Sequence, residues 1–228
     1  RGPLTTPDDL FDLASLTKPL ATGSLLALAV GKGKVALDSK VERYLPSSRG
    51  TAWAQVQLWQ LASHCSGASA IPTGAIEQLY GELLKKRLAG DVTSVEPIRE
   101  LESALTKALF AQEPVNSPNQ TLYSDLGFWT LGLVLEEVWG ASLEQAFLEQ
   151  ITRPLGLTDE LTFFRWKPSA VTSGHPFSRG PSKGRAVVST MECPRRERTL
   201  TGEVHDPLCW SLGGVAGHAG LFGTLYGV

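Results

Sequence analysis

The chain has 228 residues, of which 42% are hydrophobic and 19% are charged. This composition is typical of a globular protein with a sizeable core, and it excludes the fibrous, collagenous and disordered classes. With Lys+Arg 21 against Asp+Glu 23, the formal net charge is −2, so the chain lacks the positive field that attracts nucleic acid or acidic lipid. The longest apolar stretch, residues 25–30, falls far short of the ~20 residues that a membrane span needs. We therefore predict no nucleic-acid partner and no transmembrane segment.

The first half of the chain is predicted to be helical. A run rich in leucine and alanine forms the first helix, residues 15–30, and the glycines of Gly31-Lys32-Gly33 end it because they tolerate positive φ. A short extended piece is predicted at 34–37. Two apolar helices follow at 57–64 and 75–89.

Two longer helices are predicted next. Ser94 can cap the first of them, whose single buried face is formed by Ile98, Leu101, Leu105 and Leu109. Ser124 or Asp125 can cap the second, residues 126–139, which is the most apolar helix of the chain and ends at Gly140. Its core stripe is predicted to consist of Leu131, Val134, Leu135 and Val138.

The last third of the chain is predicted to be less regular. A helix at 142–151 ends before Arg153-Pro154, because a proline restricts the residue that precedes it. Residues 165–203 are rich in Gly, Pro, Ser and Arg and predict a long irregular loop, which is followed by a glycine-rich segment at 213–223. Because two glutamates lie among them, three arginines of this loop are interpreted as a solvated face: Arg195, Arg196 and Arg198.

Neither a metal site nor a cofactor is predicted. The three cysteines are an odd number at wide spacings, which argues against a disulfide-stapled scaffold, although one bridge stays open. His205 and Cys209 lie four residues apart, but Pro207 disfavours the helix that would align them, and a closed zinc site usually needs four ligands. The glycines at 213–220 lack the Lys-Ser/Thr ending of a phosphate-binding loop.

Ser15 and Lys18 form an S-x-x-K tetrad. On a helix, side chains three positions apart share a face, so the lysine amine can reach the serine hydroxyl. Pro19 would break an established helix, so the helix must begin near Ala14 or Ser15. Ser15 then lies at a helix N-terminus, where the dipole stabilises the negative charge of a serine that attacks a carbonyl. A serine that only caps the helix would occupy the same place, and both interpretations stay open.

A serine nucleophile needs a base to take its proton. Lys18 can serve only as a neutral amine, which requires burial or a nearby positive charge; burial is consistent with its apolar neighbours Leu13, Ala14, Leu16 and Leu20. Tyr123, just before the cap of the apolar helix, is a second candidate base, although an ordinary aromatic residue at a helix entry fits as well. A catalytic pair of Tyr123 and Lys18 would share one proton in a coupled titration.

Three segments in order along the chain form a recognisable pattern. Residues 11–19 are FDLASLTKP, residues 61–67 are LASHCSG, and residues 123–128 are YSDLGF. They resemble the nucleophile segment, the L-x-x-H-T-S-G turn and the Y-x-N segment of the serine β-lactamase-like family. This family includes class C β-lactamases, D-Ala-D-Ala carboxypeptidases and related esterases. The stretches 202–206 and 213–222 are similar to segments of its esterase-like members.

The resemblance implies an α+β fold of the β-lactamase/transpeptidase type, in one domain spanning 1–228. It implies Ser15 as the acylated nucleophile, Lys18 as its proton acceptor and Tyr123 as the second base, without a metal or cofactor. Asp125 stands where the family usually has asparagine and would face the substrate. An amide both donates and accepts hydrogen bonds, whereas a carboxylate only accepts. Recognition of a substrate amide is therefore in question at Asp125, and a salt bridge to Lys18 can form instead.

Part of the family's pattern is not found in this chain. Its third motif, Lys/His-Thr/Ser-Gly on a late strand, supplies one oxyanion amide. His218-Ala219-Gly220 is not counted as that motif, because the similar G-H-A-G-L-F segment of relatives comes before the sheet returns. We expect the chain to be truncated at both ends, with a helical region at 15–160 and little of the antiparallel sheet. Because one lost oxyanion donor can cost ~10²–10³ in rate, we expect it to be weakly active or inactive alone.

The leading hypothesis is a serine hydrolase that forms an acyl-serine intermediate on a small ester, β-lactam or D-Ala-D-Ala-like amide, with an ester favoured. The first alternative is a non-catalytic binding or scaffolding homologue of the same fold. The second is a helical interaction domain, which predicts that Lys18 is exposed and distant from Tyr123. Family resemblance slightly favours a periplasmic or secreted location, and the sequence predicts no oligomeric state.

Overall fold

The computed structural model describes residues 4–88, 96–117, 119–165 and 185–228. Helices predominate within these ranges, and short antiparallel strands form a three-stranded sheet and a two-stranded ribbon. The fold is α+β, as predicted from the sequence.

The helices follow one another through most of the chain. Helix α1 (Ser24–Gly31) continues a helical segment that starts as a 3-10 turn at Ala14–Leu16 and a π-turn at Lys18–Gly23. Short 3-10 turns lie at Val41–Arg43, Pro46–Ser48 and Ala52–Gln55. The later helices are α2 (Leu58–Ala62), α3 (Ala75–Leu88), α4 (Glu96–Phe110), α5 (Asp125–Trp139), α6 (Leu143–Phe147), α7 (Arg153–Leu155) and α8 (Pro207–Ser211).

A small antiparallel sheet joins the start of the chain to its end. Its strand order is β1 (Phe11–Asp12), β5 (Leu221–Gly223) and β2 (Leu161–Phe163). Phe222 pairs with Asp12 on one side and with Thr162 on the other. The separate ribbon pairs β3 (Glu192–Cys193) with β4 (Arg198–Thr199). Because β5 pairs with β1, the end of the chain lies beside the segment that leads into Ser15.

Helix α5 lies in the core. The Ser124 hydroxyl caps it by accepting a hydrogen bond from the Gly127 amide, and Gly140 ends it at φ 63. In the predicted stripe of α5, Val138 is half-buried and three residues are fully buried: Leu131, Val134 and Leu135. In α4, Leu105 and Leu109 are fully buried as predicted. The predicted cap Ser94 and the side chains of Ile98 and Leu101 lie outside the described residues.

Two local predictions of secondary structure are wrong. Residues 34–37 form no strand: the chain bends at Lys34, whose amide donates to the Ala29 carbonyl (2.9 Å) and closes the end of α1, and a turn begins at Leu37. The helix predicted at 142–151 does not end before Arg153. It continues through a π-turn at Leu148–Thr152 into α7, which carries Pro154 as its second residue.

The arginine cluster of the predicted loop is not wholly a solvated face. Arg196 is buried, and it donates to the carbonyls of Val204 and His205, each at 2.8 Å. Arg198 forms a bidentate pair with Glu203. Buried guanidinium groups persist only when they are paired in this way. Strands β3 and β4 also interrupt the loop predicted at 165–203, of which residues 166–184 lie outside the described ranges.

Two findings bear on the predicted class of protein. No helix in the described ranges is long and apolar enough to cross a membrane. All three cysteines lie in these ranges, and each is a free thiol.

Candidate active site

Ser15 lies in the 3-10 turn that opens the first helical segment, and it is exposed. The structure thus confirms the predicted helix start near Ala14 or Ser15. Pro19 falls at the beginning of the following π-turn, where an amide donor is not required. The Ser15 hydroxyl is therefore open to solvent at the N-terminal end of a helix.

The carboxylate of Asp12 fixes the turn before Ser15. Its Oδ1 accepts from the Ala14 amide (2.9 Å) and its Oδ2 from the His205 amide (2.6 Å). Burial raises the pKa of Asp12, although both amides and the His205 charge oppose the shift. Ala14 is held at φ 47, a left-handed conformation that costs a non-glycine residue roughly 1–2 kcal/mol. The backbone is thus strained directly before the candidate nucleophile.

Lys18 is buried, with 3% of its surface exposed. Its Nζ contacts Ser15 Oγ at 3.0 Å, Asp125 Oδ1 at 2.7 Å and the His218 carbonyl at 3.1 Å. The predicted contact with Ser15 and the salt bridge to Asp125 are both present. The helical interaction domain, which requires an exposed Lys18, is therefore excluded.

The three contacts of Lys18 determine where the lone pair of a neutral Lys18 amine would point. Asp125 and the His218 carbonyl can only accept hydrogen bonds, whereas a serine hydroxyl can also donate. An ammonium donates to all three partners. A neutral amine donates to Asp125 and His218, which leaves its lone pair directed at the Ser15 hydroxyl. This geometry is compatible with proton transfer from Ser15 to a neutral Lys18.

Tyr123 contacts Lys18 through the face of its ring, whose centroid lies 4.7 Å from Nζ. Half of its surface is exposed (50%). The His64 ring packs beside two aromatic rings. Its centroid lies 4.4 Å from the centroid of the Tyr123 ring and 4.9 Å from that of the Phe128 ring. The Tyr123 hydroxyl is not among the hydrogen-bond partners of Lys18 within the described residues. The structure thus brings Tyr123 to Lys18, and the role of its hydroxyl as second base stays a prediction.

His64 positions the start of α5. Its Nδ1 accepts from the Ser124 amide (3.0 Å), and its carbonyl accepts from the Leu122 amide (2.8 Å). Burial lowers the pKa of His64, as does the Lys18 charge, and Asp125 opposes the shift. A neutral ring with Nδ1 as the acceptor fits this arrangement. His64 therefore holds Tyr123 and Asp125 in place on either side of Ser124.

Asp206 and His218 hold the carbonyl that Lys18 contacts. The buried His218 ring pairs through Nε2 with Asp206 Oδ1 at 3.1 Å. Asp206 Oδ1 also accepts from the Cys209 amide at the start of α8 (2.7 Å). Burial opposes the ionisation of Asp206, but the His218 ring, the Cys209 amide and the Lys18 charge outweigh it and lower the pKa of Asp206 to about 2. A charged Asp206 thus fixes the segment at 217–218.

Two threonines, one directly before Lys18 and one four residues after it, connect the nucleophile segment to the end of the chain. The Thr17 hydroxyl donates to the Ala14 carbonyl (2.6 Å) and accepts from the Leu221 amide (3.1 Å). The Thr22 hydroxyl donates to the Gly217 carbonyl (2.7 Å). Both threonines are fully buried. Strand β5 and the segment before it therefore position the helical turn that presents Ser15 and Lys18.

All four residues predicted for the site lie in one cluster: Ser15, Lys18, Tyr123 and Asp125. Four further residues that hold the cluster were not predicted from the sequence: Asp12, His64, Asp206 and His218. An acidic residue two positions before a strained turn is a known turn pattern, so Asp12 could have been found. The contact of His218 is made by its carbonyl, which no side-chain pattern reveals.

A comparison with protein families gives a single result for the whole chain. The model of the Beta-lactamase family matches residues 1–228. A "Putative D-alanyl-D-alanine carboxypeptidase" of Escherichia coli K12 is 31% identical over 230 residues, which cover 95% of this chain and 48% of that protein. A protein of the same description from Salmonella agona is 27% identical, with coverage of 99% and 50%. The chain thus spans about half the length of these curated relatives.

Solved structures with the same fold include a class C beta-lactamase from Rhodobacter sphaeroides. It aligns with a TM-score of 0.60 at 22% identity and covers 97% of this chain and 50% of that one. A beta-lactamase/D-alanine carboxypeptidase from Pseudomonas syringae aligns with a TM-score of 0.62 at 16% identity, with coverage of 99% and 50%. At these identities the similarity supports the fold alone. Together with the match over residues 1–228, it leads to one conclusion: the chain belongs to the beta-lactamase family.

Proposed function

We propose that the chain carries the nucleophile centre of a serine hydrolase that forms an acyl-serine intermediate. One observation supports this most directly. The buried Lys18 Nζ lies 3.0 Å from Ser15 Oγ, and both of its other partners can only accept hydrogen bonds. A neutral amine in this position can accept the Ser15 proton while it donates to its other two partners.

The proposed reaction has two halves. In the first, Ser15 Oγ attacks the substrate carbonyl, its proton moves to the neutral amine of Lys18, and the leaving group departs with a proton. In the second, water attacks the acyl-serine ester, gives a proton to the leaving Ser15 Oγ, and releases the acid. Tyr123 would relay these protons with Lys18 as one coupled pair.

An ester is the favoured substrate, with a β-lactam or a D-Ala-D-Ala-like amide as the alternatives. Membership of the beta-lactamase family and the names of the curated relatives support hydrolysis of a cyclic or peptide amide. The carboxylate of Asp125 favours an ester, because it cannot donate a hydrogen bond to a substrate carbonyl as an asparagine amide would.

Covalent labelling tests the proposal. A fluorophosphonate probe should modify Ser15, and mass spectrometry of the digested protein should locate the adduct on that residue. Ser15→Ala should abolish labelling. Ser24→Ala is the matched control, since Ser24 lies on the same helical segment and its hydroxyl contacts only the Pro19 carbonyl, at 3.3 Å, within the described residues.

The same experiment separates the enzyme from a non-catalytic homologue. Labelling that is lost in Ser15→Ala and kept in Ser24→Ala supports the hydrolase. A folded protein that is not labelled at Ser15, or is labelled equally in Ser15→Ala, overturns it and supports a binding or scaffolding protein.

A further inference from the structure

One oxygen of the Asp125 carboxylate accepts from Lys18, and the other has no protein donor within the described residues. Oδ1 lies 2.7 Å from Lys18 Nζ, and the side chain keeps 21% of its surface exposed. Within the described part of the chain, no protein group donates a hydrogen bond to Oδ2. A carboxylate usually accepts more than one hydrogen bond, so Asp125 retains acceptor capacity toward solvent.

The Asp125 carboxylate lies close to the nucleophile. A single nitrogen, Lys18 Nζ, contacts both Ser15 Oγ and Asp125 Oδ1. Ser15 is exposed, so an acyl group that reaches its hydroxyl also comes beside Asp125. A substituent on the carbon next to the carbonyl is then within reach of the carboxylate.

The chemistry of Asp125 determines which substituent fits. A carboxylate only accepts hydrogen bonds, so it repels a carbonyl or carboxylate placed against it and attracts a donor. Hydrogen bonds between charged partners are roughly twice as strong as neutral ones. A protonated amine therefore fits better than a hydroxyl, and a hydroxyl better than a methyl or methylene group.

From these contacts we infer that Asp125 selects acyl groups that carry a protonated amine on the carbon next to the scissile carbonyl. The inference rests on the proposed function, because it assumes acylation of Ser15. It narrows the substrate class to amino-acyl esters or amides with a free amino group. Acyl groups whose amine is blocked by acylation should bind less well, since they present a carbonyl oxygen near Asp125.

The test uses three competitors that differ in one substituent: alaninamide, lactamide and propionamide, which carry an ammonium, a hydroxyl and a hydrogen. Each is added at a pH of about 6.5, where an α-amine is mostly protonated, and the slowing of fluorophosphonate labelling of Ser15 is measured. This readout does not depend on turnover. Alaninamide should slow labelling at a concentration at least about tenfold lower than lactamide, as expected for a charge-assisted hydrogen bond.

Two variants locate the preference. Asp125→Asn should reduce the difference between alaninamide and lactamide to about twofold or less, because the amide carries no charge. Glu137→Gln should keep the full preference. It also removes one negative charge from α5, but it lies exposed near the other end of that helix.

Each outcome supports or overturns a defined claim. Labelling of Ser15 without a preference for alaninamide in the unmodified protein overturns the inference and leaves the hydrolase intact. A preference that persists in folded Asp125→Asn overturns it too. If Ser15 is not labelled at all, the proposed function fails and the inference fails with it. The comparison of the three amides in the unmodified chain decides the question even if Asp125→Asn does not fold.

Discussion

The Nζ atom of Lys18 lies 2.7 Å from Oδ1 of Asp125. This ion pair joins the helical turn that carries Ser15 to the first residue of α5, which are far apart in sequence. Lys18 is almost fully buried and Asp125 is mostly buried. The pair therefore has two roles that experiments can separate, because it compensates two charges and it also orients the amine toward Ser15.

The charge role predicts that the two substitutions compensate each other in stability. Lys18→Met should lower the free energy of unfolding by about 2 kcal/mol, because it leaves a mostly buried carboxylate without its partner. Adding Asp125→Asn should recover most of that loss, since the remaining amide is neutral. Urea denaturation of both single variants and the double variant measures the coupling.

The orienting role predicts that reactivity does not recover in the same double variant. Lys18→Met with Asp125→Asn should remain unlabelled by a fluorophosphonate although it is stable, because no amine is left to take the Ser15 proton. Labelling of the double variant at the rate of the unmodified chain would show that Lys18 is structural only.

His64 predicts a pH dependence with a definite sign. Burial and the Lys18 charge lower the pKa of His64 in the folded protein below its usual 6.5. At a pH between the folded and the unfolded pKa, the unfolded chain therefore binds more protons than the folded one. Stability from His64 is then present above pH 6.5 and is lost as the pH falls below it. Protonation would also place an N–H at Nδ1, where His64 now accepts the hydrogen bond of the Ser124 amide. Two donors would then face each other.

A variant without a titrating ring provides the control for His64. His64→Asn keeps a side-chain acceptor and tolerates the observed φ of 59 better than most residues. Unfolding free energies at a pH of about 7.5 and about 5.5 should differ less in this variant than in the unmodified protein. An equal difference in both proteins would show that His64 does not contribute to the acid sensitivity.

The parts of the site that could be predicted from the sequence are local. Ser15 and Lys18 are three residues apart on a helical turn, so their contact follows from helix geometry. Ser124, one of the two predicted caps, caps α5, and this was predictable because the cap hydrogen bond spans only three residues. The pairing of Lys18 with Asp125 could also be predicted, because the two residues carry opposite charges and the family resemblance brings their segments together.

The parts that could not be predicted depend on main-chain groups and long-range packing. Lys18 contacts the carbonyl of His218, and any residue type supplies a carbonyl. Arg196 was predicted to be solvated because glutamates flank it, yet it is buried and donates to two carbonyls further along the chain. An extended piece was predicted at 34–37, but the Lys34 amide closes the end of α1. Each of these outcomes depends on which backbone group needed a partner after folding.

Gly217 predicts a strong effect of a single added methyl group. A Cβ at this position would overlap the Phe128 carbonyl oxygen and lie 3.0 Å from Gly132 Cα, and both are backbone atoms that cannot rotate away. Gly217→Ala should therefore destabilise the protein by about 3 kcal/mol. It should also slow labelling of Ser15, because Thr22 and Lys18 contact the carbonyls of residues 217 and 218.

Gly31→Ala is the matched control for this substitution. Gly31 ends α1, and a Cβ there would meet nothing within 4 Å. The variant should be neutral or more stable by up to about 1 kcal/mol, since alanine is the better helix former. Thermal unfolding should separate the two variants clearly, at about 2–4 °C for each kcal/mol in a chain of this size. Similar melting temperatures would contradict the close packing at Gly217.

Asp206 predicts a loss of stability at acidic pH. Burial disfavours its charge, but the His218 ring, the Cys209 amide and the Lys18 charge lower the pKa of Asp206 from 3.8 to about 2. The carboxylate therefore contributes stability above pH 3.8 that is lost as the pH falls toward 2. The contribution is about 2 kcal/mol. Asp206→Asn should lose it at neutral pH, and its unfolding free energy should change less between a pH of about 5 and about 2.5.

The same variant tests whether Asp206 acts through His218 on the nucleophile. Without the charge that pairs with its ring, His218 should no longer hold its carbonyl 3.1 Å from Lys18 Nζ. Labelling of Ser15 should then slow in Asp206→Asn. Adding His218→Gln should slow it only slightly more, because both substitutions break the same pair between Asp206 and His218. If the two substitutions instead reduce the labelling rate by factors that multiply in the double variant, Asp206 and His218 act independently on the Ser15 site.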